Sequence, residues 1–170
     1  MRKLNTKEIV IFAFLGVIIF ASKMVMEFLP NIHLIAPLII AYTIVFRKKA
    51  LVPIFVFIIL TFLVNGFTPF LLPYIYVWPI LWGVTMLLPK NMSLKTSFFV
   101  YIVVAGLHGF LFGTMYAPMQ AIMFGLNFKA MVSWIVAGVP FDLIHGVSNI
   151  IASMLTIPLI NILKKSTQNI

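Results

Sequence analysis

Long apolar runs, separated by short clusters of basic and turn-forming residues, make up almost the whole chain. Five runs contain no Asp, Glu, Lys or Arg, and they cover residues 28–46, 50–89, 96–128, 130–141 and 143–163. A membrane-crossing helix needs about 20 apolar residues. The pattern therefore predicts lipid-embedded helices, with room for about six crossings and no soluble domain beside them.

Turn-forming and basic residues divide these runs. Pro30 ends the first predicted helix, the basic cluster at 47–49 ends a short second one, and Pro89 ends the fourth. The segment 117–139 is predicted to be a long outer connection, with a division of the last run at Pro140. The six predicted helices cover residues 7–28, 33–46, 50–64, 72–88, 96–116 and 140–163 of a single transmembrane domain, residues 1–170.

The basic residues predict the orientation of this bundle. With six helices and both termini in the cytoplasm, ten of the twelve Lys and Arg residues lie inside, and only Lys23 and Lys129 lie outside. Cytoplasmic loops normally carry such an excess of positive charge. Five helices would move Lys164 and Lys165 outside. The chain is therefore predicted to be an all-α integral membrane protein, a six-helix bundle with cytoplasmic termini and outer connections at 29–33, 65–73 and 117–139.

Composition agrees with a membrane protein and excludes several functions. The chain is 63% hydrophobic and 9% charged, whereas about 25% of the residues of a soluble domain are charged. It has no cysteine, which excludes disulfides and thiolate metal sites. The net charge of +9 is spread over short loops and does not predict a nucleic-acid partner. No phosphate-binding loop, zinc helix or serine elbow occurs, and neither a metal nor a cofactor is expected.

Polar residues within the predicted helices are scarce. In the last helix Asp142, His145 and Asn149 are spaced by three and four, which places them on one helical face near the outer surface. Polar groups inside a membrane normally face a bundle interior or a cavity. The face is therefore predicted to bind a polar solute from outside. In the alternative interpretation, it bonds to neighbouring helices, with Asp142 capping the helix start.

Aromatic and amide side chains at other outer positions extend this candidate site. Tyr74 and Trp78 are four residues apart on the fourth helix and suit stacking on a heterocycle, although an interfacial aromatic belt would also explain them. Three further candidates lie on or beside the outer connections: Asn65, Gln120 and Trp134. The alternative interpretation of Asn65 is a turn residue.

Small residues indicate close helix packing. Gly109 and Gly113 form a small-xxx-small pattern on the fifth helix. His108 beside them is predicted to be a packed, hydrogen-bonded histidine and not a ligand. Ala13 and Gly16 make a smooth patch on the first helix that suits a second helix, either from this chain or from a partner.

Taken together, these features resemble the substrate-binding S component of an energy-coupling factor (ECF) transporter, a vitamin importer of bacteria and archaea. The resemblance covers nearly the whole chain: its size, six helices with a short second one, basic cytoplasmic loops, and the polar run at residues 140–149. It implies a multi-pass protein of a prokaryotic plasma membrane that binds a vitamin-like solute from outside. It also implies docking, through the patch at Ala13 and Gly16, onto a transmembrane T subunit carried by two ATP-binding-cassette ATPases.

Two other functions remain open at this point. A small membrane enzyme would use Asp142 and His145 as an acid–base pair, although such an enzyme normally shows more convergent ionisable groups. A non-catalytic subunit of a respiratory or channel complex would explain the hydrophobicity, but not the polar and aromatic residues grouped near the outer surface. The importer subunit, which is not an enzyme, explains both.

Overall fold

The computed structural model describes residues 4–168, and within that range all regular secondary structure is helical, without strands. The eight α-helices are α1 Thr6–Val25, α2 Ile35–Phe46, α3 Leu51–Asn65, α4 Tyr74–Leu87, α5 Leu94–Phe110, α6 Phe112–Phe124, α7 Phe128–Ala152 and α8 Thr156–Ser166. Short 3-10 segments, Arg47–Ala50 and Ser153–Leu155, join α2 to α3 and α7 to α8.

Several of these helices follow one another with little or no intervening chain. Over the described residues, four helical stretches are long and apolar enough to cross a membrane, and α4 is a shorter apolar helix. The four are Thr6–Val25, Ile35–Asn65, Leu94–Phe124 and Phe128–Ser166. Their length and composition indicate a multi-pass membrane protein, as the sequence predicts. The number of crossings and the side on which the termini lie stay predictions.

The short helix α2 forms the centre of the bundle. Every residue from Ile35 to Thr43 is buried, and α2 packs against α1, α4, α5, α7 and α8. A helix that is apolar on all faces is stable where other helices surround it. At its end Arg47 adopts a left-handed φ of 54°. The chain turns there, and α3 packs along α1 instead of α2.

Glycines set the closest helix contacts. A Cβ atom added to Gly109 would lie 2.7 Å from the Cα of Gly146, and one added to Gly113 would lie 2.5 Å from a carboxylate oxygen of Asp142. The predicted packing role of Gly109 and Gly113 is thereby confirmed: α5 and α6 lie directly on α7. Gly16 similarly faces α3, where an added Cβ would lie 2.6 Å from Val56.

Two sequence predictions about the last third of the chain are wrong. The long connection predicted at 117–139 is almost entirely helical, and only residues 125–127 separate α6 from α7. Gly125, with φ 63°, ends α6, and the Asn127 side chain caps α7 by accepting from the Ala130 N–H. Pro118 lies inside α6, because a membrane helix tolerates the loss of one backbone hydrogen bond.

Pro140 also lies inside a helix and does not divide the last run. The break occurs instead at Ser153–Leu155, which ends three residues before Pro158. Proline cannot donate to the carbonyl four residues earlier and is best tolerated in a first helical turn. Pro158 occupies that position in α8, so the turn before it tightens. The last long helical stretch therefore begins at Phe128, twelve residues before the predicted start.

The two ends of the bundle differ in charge. All described Lys and Arg residues except Lys23 and Lys129 cluster at one end, called the basic end: Lys7, Arg47, Lys48, Lys49, Lys90, Lys95, Lys164 and Lys165. Arg2 and Lys3 lie outside the described residues. The opposite end is called the His33 end, after the residue in the connection between α1 and α2. This segregation is what the positive-inside rule requires of cytoplasmic loops.

Candidate functional site

A cluster of aromatic rings fills the bundle towards the His33 end, and Trp78 of α4 lies at its centre. Trp78 is fully buried. Its ring centroid lies 5.5 Å from Tyr74, 5.4 Å from His108 and 5.5 Å from Phe112. Aromatic pairs at these separations attract each other through their edges and faces. The cluster therefore joins α4, α5 and α6 into one aromatic wall.

A cavity of about 150 Å³ lies where this wall meets the connection between α1 and α2. Four rings from four parts of the chain form its inner lining: His33, Tyr74, Phe112 and His145. The His33 and His145 rings stand edge to face, with centroids 4.8 Å apart, and His145 lies 4.5 Å from Phe112. Lys23 and the segment 26–32, except Phe28, complete the lining. The Lys23 ammonium lies 3.4 Å from the Glu27 carboxylate there.

Several polar atoms in these rings are buried without a hydrogen bond. Within residues 4–168, the Nδ1 of His33, both ring nitrogens of His145 and the Nε1 of Trp78 have no partner. Leaving such a group unsatisfied costs about 1–3 kcal/mol. Unsatisfied groups are rare in folded proteins and call for an explanation. The nitrogens of His33 and His145 line the cavity, so a ligand or bound water there would gain hydrogen bonds from them. Other unpartnered buried atoms, on Gln120, Asn149, Ser153 and Thr156 among others, do not line this cavity.

His33 is electrically neutral at physiological pH. It lies in the connection between α1 and α2, and burial lowers the pKa of its ring from 6.5 to about 4. A neutral imidazole has one N–H donor and one nitrogen acceptor. The cavity therefore offers hydrogen bonding from His33 without adding a positive charge.

The three residues of the predicted polar face, Asp142, His145 and Asn149, lie in different surroundings. His145 lines the cavity, but an oxygen of Asp142 accepts a hydrogen bond from the Gly113 N–H at 2.9 Å. The Asn149 amide donates to the Ala105 carbonyl at 3.1 Å. Asp142 and Asn149 thus tie α7 to α6 and α5. The structure therefore favours the alternative interpretation, bonds to neighbouring helices, for these two residues.

Asp142 does not have the capping role considered from the sequence. It lies in the fifteenth position of α7, so the capping role at the start of that helix is wrong. Over the described residues no hydrogen bond joins Asp142 to His145, whose ring nitrogens are without partners.

The remaining predicted residues lie apart from the cavity. The Gln120 amide donates to the Pro69 carbonyl at 3.0 Å and fastens α6 to the connection before α4. Asn65 is the exposed last residue of α3, and Trp134 is half-buried in the first half of α7. Of the eight predicted substrate contacts, only Tyr74 and His145 line the cavity, with Trp78 directly behind them.

Two of the four lining rings, His33 and Phe112, were not among the predicted contacts. His33 follows the turn at Pro30 and Asn31 and is the only histidine near the outer end of α2, which was a usable signal. Phe112 gave no signal, because it is one of seventeen phenylalanines. The expectation for His108 is confirmed, since its ring is buried and Nε2 lies 3.1 Å from the Val77 carbonyl.

Comparison with known proteins gives no family for this chain: no protein-family model, no curated protein and no solved structure matches it. Over residues 4–168, no group of three or more His, Asp or Glu residues is placed to hold a metal ion. The chemistry of the cavity is therefore the main indication of function.

Proposed function

We propose that the protein is the substrate-binding S component of an ECF-type importer in a prokaryotic plasma membrane, and that it captures a vitamin or related heterocyclic micronutrient. The observation that supports this most strongly is the cavity lined by aromatic rings and unpartnered imidazole nitrogens. It lies opposite the basic end. With the basic end in the cytoplasm, the cavity opens towards the outside, where an importer must capture its solute.

The lining suits a flat solute with hydrogen-bonding atoms. Tyr74 and Phe112 offer ring surfaces, while His33 and His145 offer nitrogen donors and acceptors. The only charged side chains at the rim are Lys23 and Glu27, which pair with each other. A solute without a large net charge therefore fits this site best. Pyridine-like or pyrimidine-like molecules have this chemistry.

Capture requires the connection between α1 and α2 to move. The cavity of about 150 Å³ is smaller than the roughly 300–1,000 Å³ of typical ligand sites. Residues 26–32 cover it, and their main anchor to the bundle is the hydrogen bond from the Ser148 hydroxyl to the Asn31 carbonyl, 2.8 Å long. Outward movement of this short segment would enlarge the site without repacking any helix. We propose that the segment opens to admit the solute.

Energy for transport would come from partners, namely a transmembrane T subunit and two ATP-binding-cassette ATPases. The outer face of α1 presents apolar side chains, including Val10, Phe14 and Val17, which are exposed in the isolated chain. Ala13 is half-buried beside them, whereas Gly16 is covered by α3. In the proposed complex, the docking face therefore consists of Ala13 and its exposed neighbours.

Two measurements test the proposal. Native mass spectrometry of gently purified protein should show a bound small molecule, and affinity purification of a tagged chain from its host should recover ATPase subunits. Recovery of redox subunits in their place would favour the respiratory-complex function. Catalytic turnover of a lipid or quinone by the isolated chain would favour the enzyme.

A further inference from the structure

A second recess, at the basic end, carries chemistry that the importer function does not use. It has a volume of about 280 Å³ and lies between the first turns of α5 and the last turns of α8, with Ile44 of α2 at its base. Its polar lining consists of Lys90, Ser97, Tyr101, Asn161 and Lys164. Its apolar lining includes Met92, Leu94, Ile157 and Ile160.

The recess exists because two helices diverge. Near Gly109 and Gly146 the backbones of α5 and α7 are in direct contact. Beyond the 3-10 segment Ser153–Leu155, α8 packs mainly against α2. The space left between α5 and α8 is the recess. The recess is therefore formed by the paths of the helix backbones and does not depend on the position of one surface side chain.

The positive charge of the recess is not neutralised by a carboxylate side chain. The chain has only three acidic residues. Glu8 contacts Lys49, Glu27 pairs with Lys23, and Asp142 bonds to Gly113 near the opposite end. Lys90 and Lys164 are both exposed at the recess without an ion pair among residues 4–168. An anion that enters the recess therefore meets two unpaired ammonium groups.

Tyr101 supplies a second and independent indication of a ligand. Its side chain is only 5% exposed, and it lines the recess. Within the described residues its hydroxyl has no hydrogen-bond partner. The ring is packed in the bundle, but the hydroxyl oxygen is not enclosed by protein, so it reaches the recess and is available to a ligand there. Beside it, the Ser97 hydroxyl and the Asn161 amide also lack side-chain partners over the same residues, so three neutral groups and two cations are available together.

We propose that this recess binds the phosphate head group of an anionic phospholipid. Lysines bind phosphate oxygens as point charges, and hydroxyl and amide groups supply further hydrogen bonds. The apolar side chains of α5 and α8 give an acyl chain a continuous surface beside the lysines. This surface favours a lipid over an acidic peptide. Basic pockets between helices at the cytoplasmic side are known to hold anionic head groups.

The test compares two lysine pairs of equal charge. In one variant Lys90→Gln and Lys164→Gln are combined. In the control Lys95→Gln and Lys165→Gln are combined, because these lysines are at the same end but do not line the recess. Binding of dioleoyl phosphatidylglycerol and dioleoyl phosphatidylcholine to the full chain in detergent is measured by native mass spectrometry.

The variant with Lys90→Gln and Lys164→Gln should bind phosphatidylglycerol about tenfold or more weakly, since a lysine near a membrane surface contributes about 1 kcal/mol. The control variant with Lys95→Gln and Lys165→Gln should change this binding less than threefold. Tyr101→Phe, which preserves the packed ring, should weaken it by a smaller factor. Inorganic phosphate at millimolar concentration should not displace the lipid. Equal losses in both lysine pairs, equal binding of phosphatidylcholine, or displacement by inorganic phosphate would overturn the proposal.

Discussion

Buried polar groups at the two ends of the bundle differ in their hydrogen-bond and ion-pair partners. At the basic end the buried carboxylate of Glu8 contacts Lys49 and also completes the capping box of α1 with Asn5. At the His33 end, buried ring nitrogens of His33 and His145 have no partner within the described residues. Satisfied polar groups stabilise a fold, whereas unsatisfied ones reduce its stability. The contacts of Glu8 therefore stabilise the basic end, whereas the buried nitrogens of His33 and His145 would gain hydrogen bonds from a ligand.

The sharpest way to separate the two ends is to replace His145 by Leu. The variant removes both unpartnered nitrogens and retains an apolar side chain of similar reach. We expect ligand affinity to fall about 30-fold or more, because two hydrogen bonds of about 1 kcal/mol each and a ring contact are lost. The stability of the ligand-free protein should stay equal or rise. Isothermal titration with the molecule identified by mass spectrometry, together with thermal unfolding, measures both.

Glu8→Gln should give the opposite result at the basic end. It leaves the half-buried Lys49 ammonium without its carboxylate, and we expect a loss of about 1–3 kcal/mol of stability. Ligand affinity should stay within twofold, because Glu8 is at the far end from the cavity. Thermal unfolding in detergent measures the loss. A large drop in ligand affinity with unchanged stability would contradict the division between the ends.

Acid should destabilise the His33 end. Because the folded pKa of His33 is lowered to about 4, the unfolded chain binds this proton more readily, and stability falls as the pH decreases from about 6.5 towards 4. Because His33 is partly exposed, we expect the free energy of unfolding to decrease by only about 1–2 kcal/mol between pH 7.5 and pH 5. His33→Gln should remove this component of the pH profile, and an identical profile in the variant would assign the effect elsewhere.

Asp142→Asn should have the smallest effect. An asparagine oxygen can still accept from the Gly113 N–H, so we expect a stability change of about 1 kcal/mol or less. Ligand affinity should change less than threefold, because Asp142 does not line the cavity. A strong loss of affinity, measured by the same titration, would return Asp142 to the site and show that the bound conformation differs from this one.

The sequence predicts the parts of the fold that depend on local pattern. The short buried helix α2 follows from an uninterrupted apolar run that ends at basic residues, and the close contact at Gly109 follows from the spacing of small residues. The helices through Pro118 and Pro140 could not be predicted in the same way. In water a proline inside a helix normally ends or kinks it, but here packing of α6 against α7 maintains both helices.

The site was harder to predict than the fold, because its lining comes from four separate parts of the chain. Spacing rules relate Asp142, His145 and Asn149 within one helix, and the structure divides these three between the cavity and helix packing. The contact of His33 with His145 joins residues more than one hundred positions apart. Only the tertiary arrangement around α2 brings them together.

The most direct test of the central claim is a native mass spectrum of the purified protein beside that of the His145→Leu variant. We expect a small-molecule adduct on the native protein and no adduct on the His145→Leu variant, with both proteins folded. An adduct of equal abundance on both, or no adduct on the native protein even after incubation with a vitamin mixture, would contradict a binding site at the His33 end.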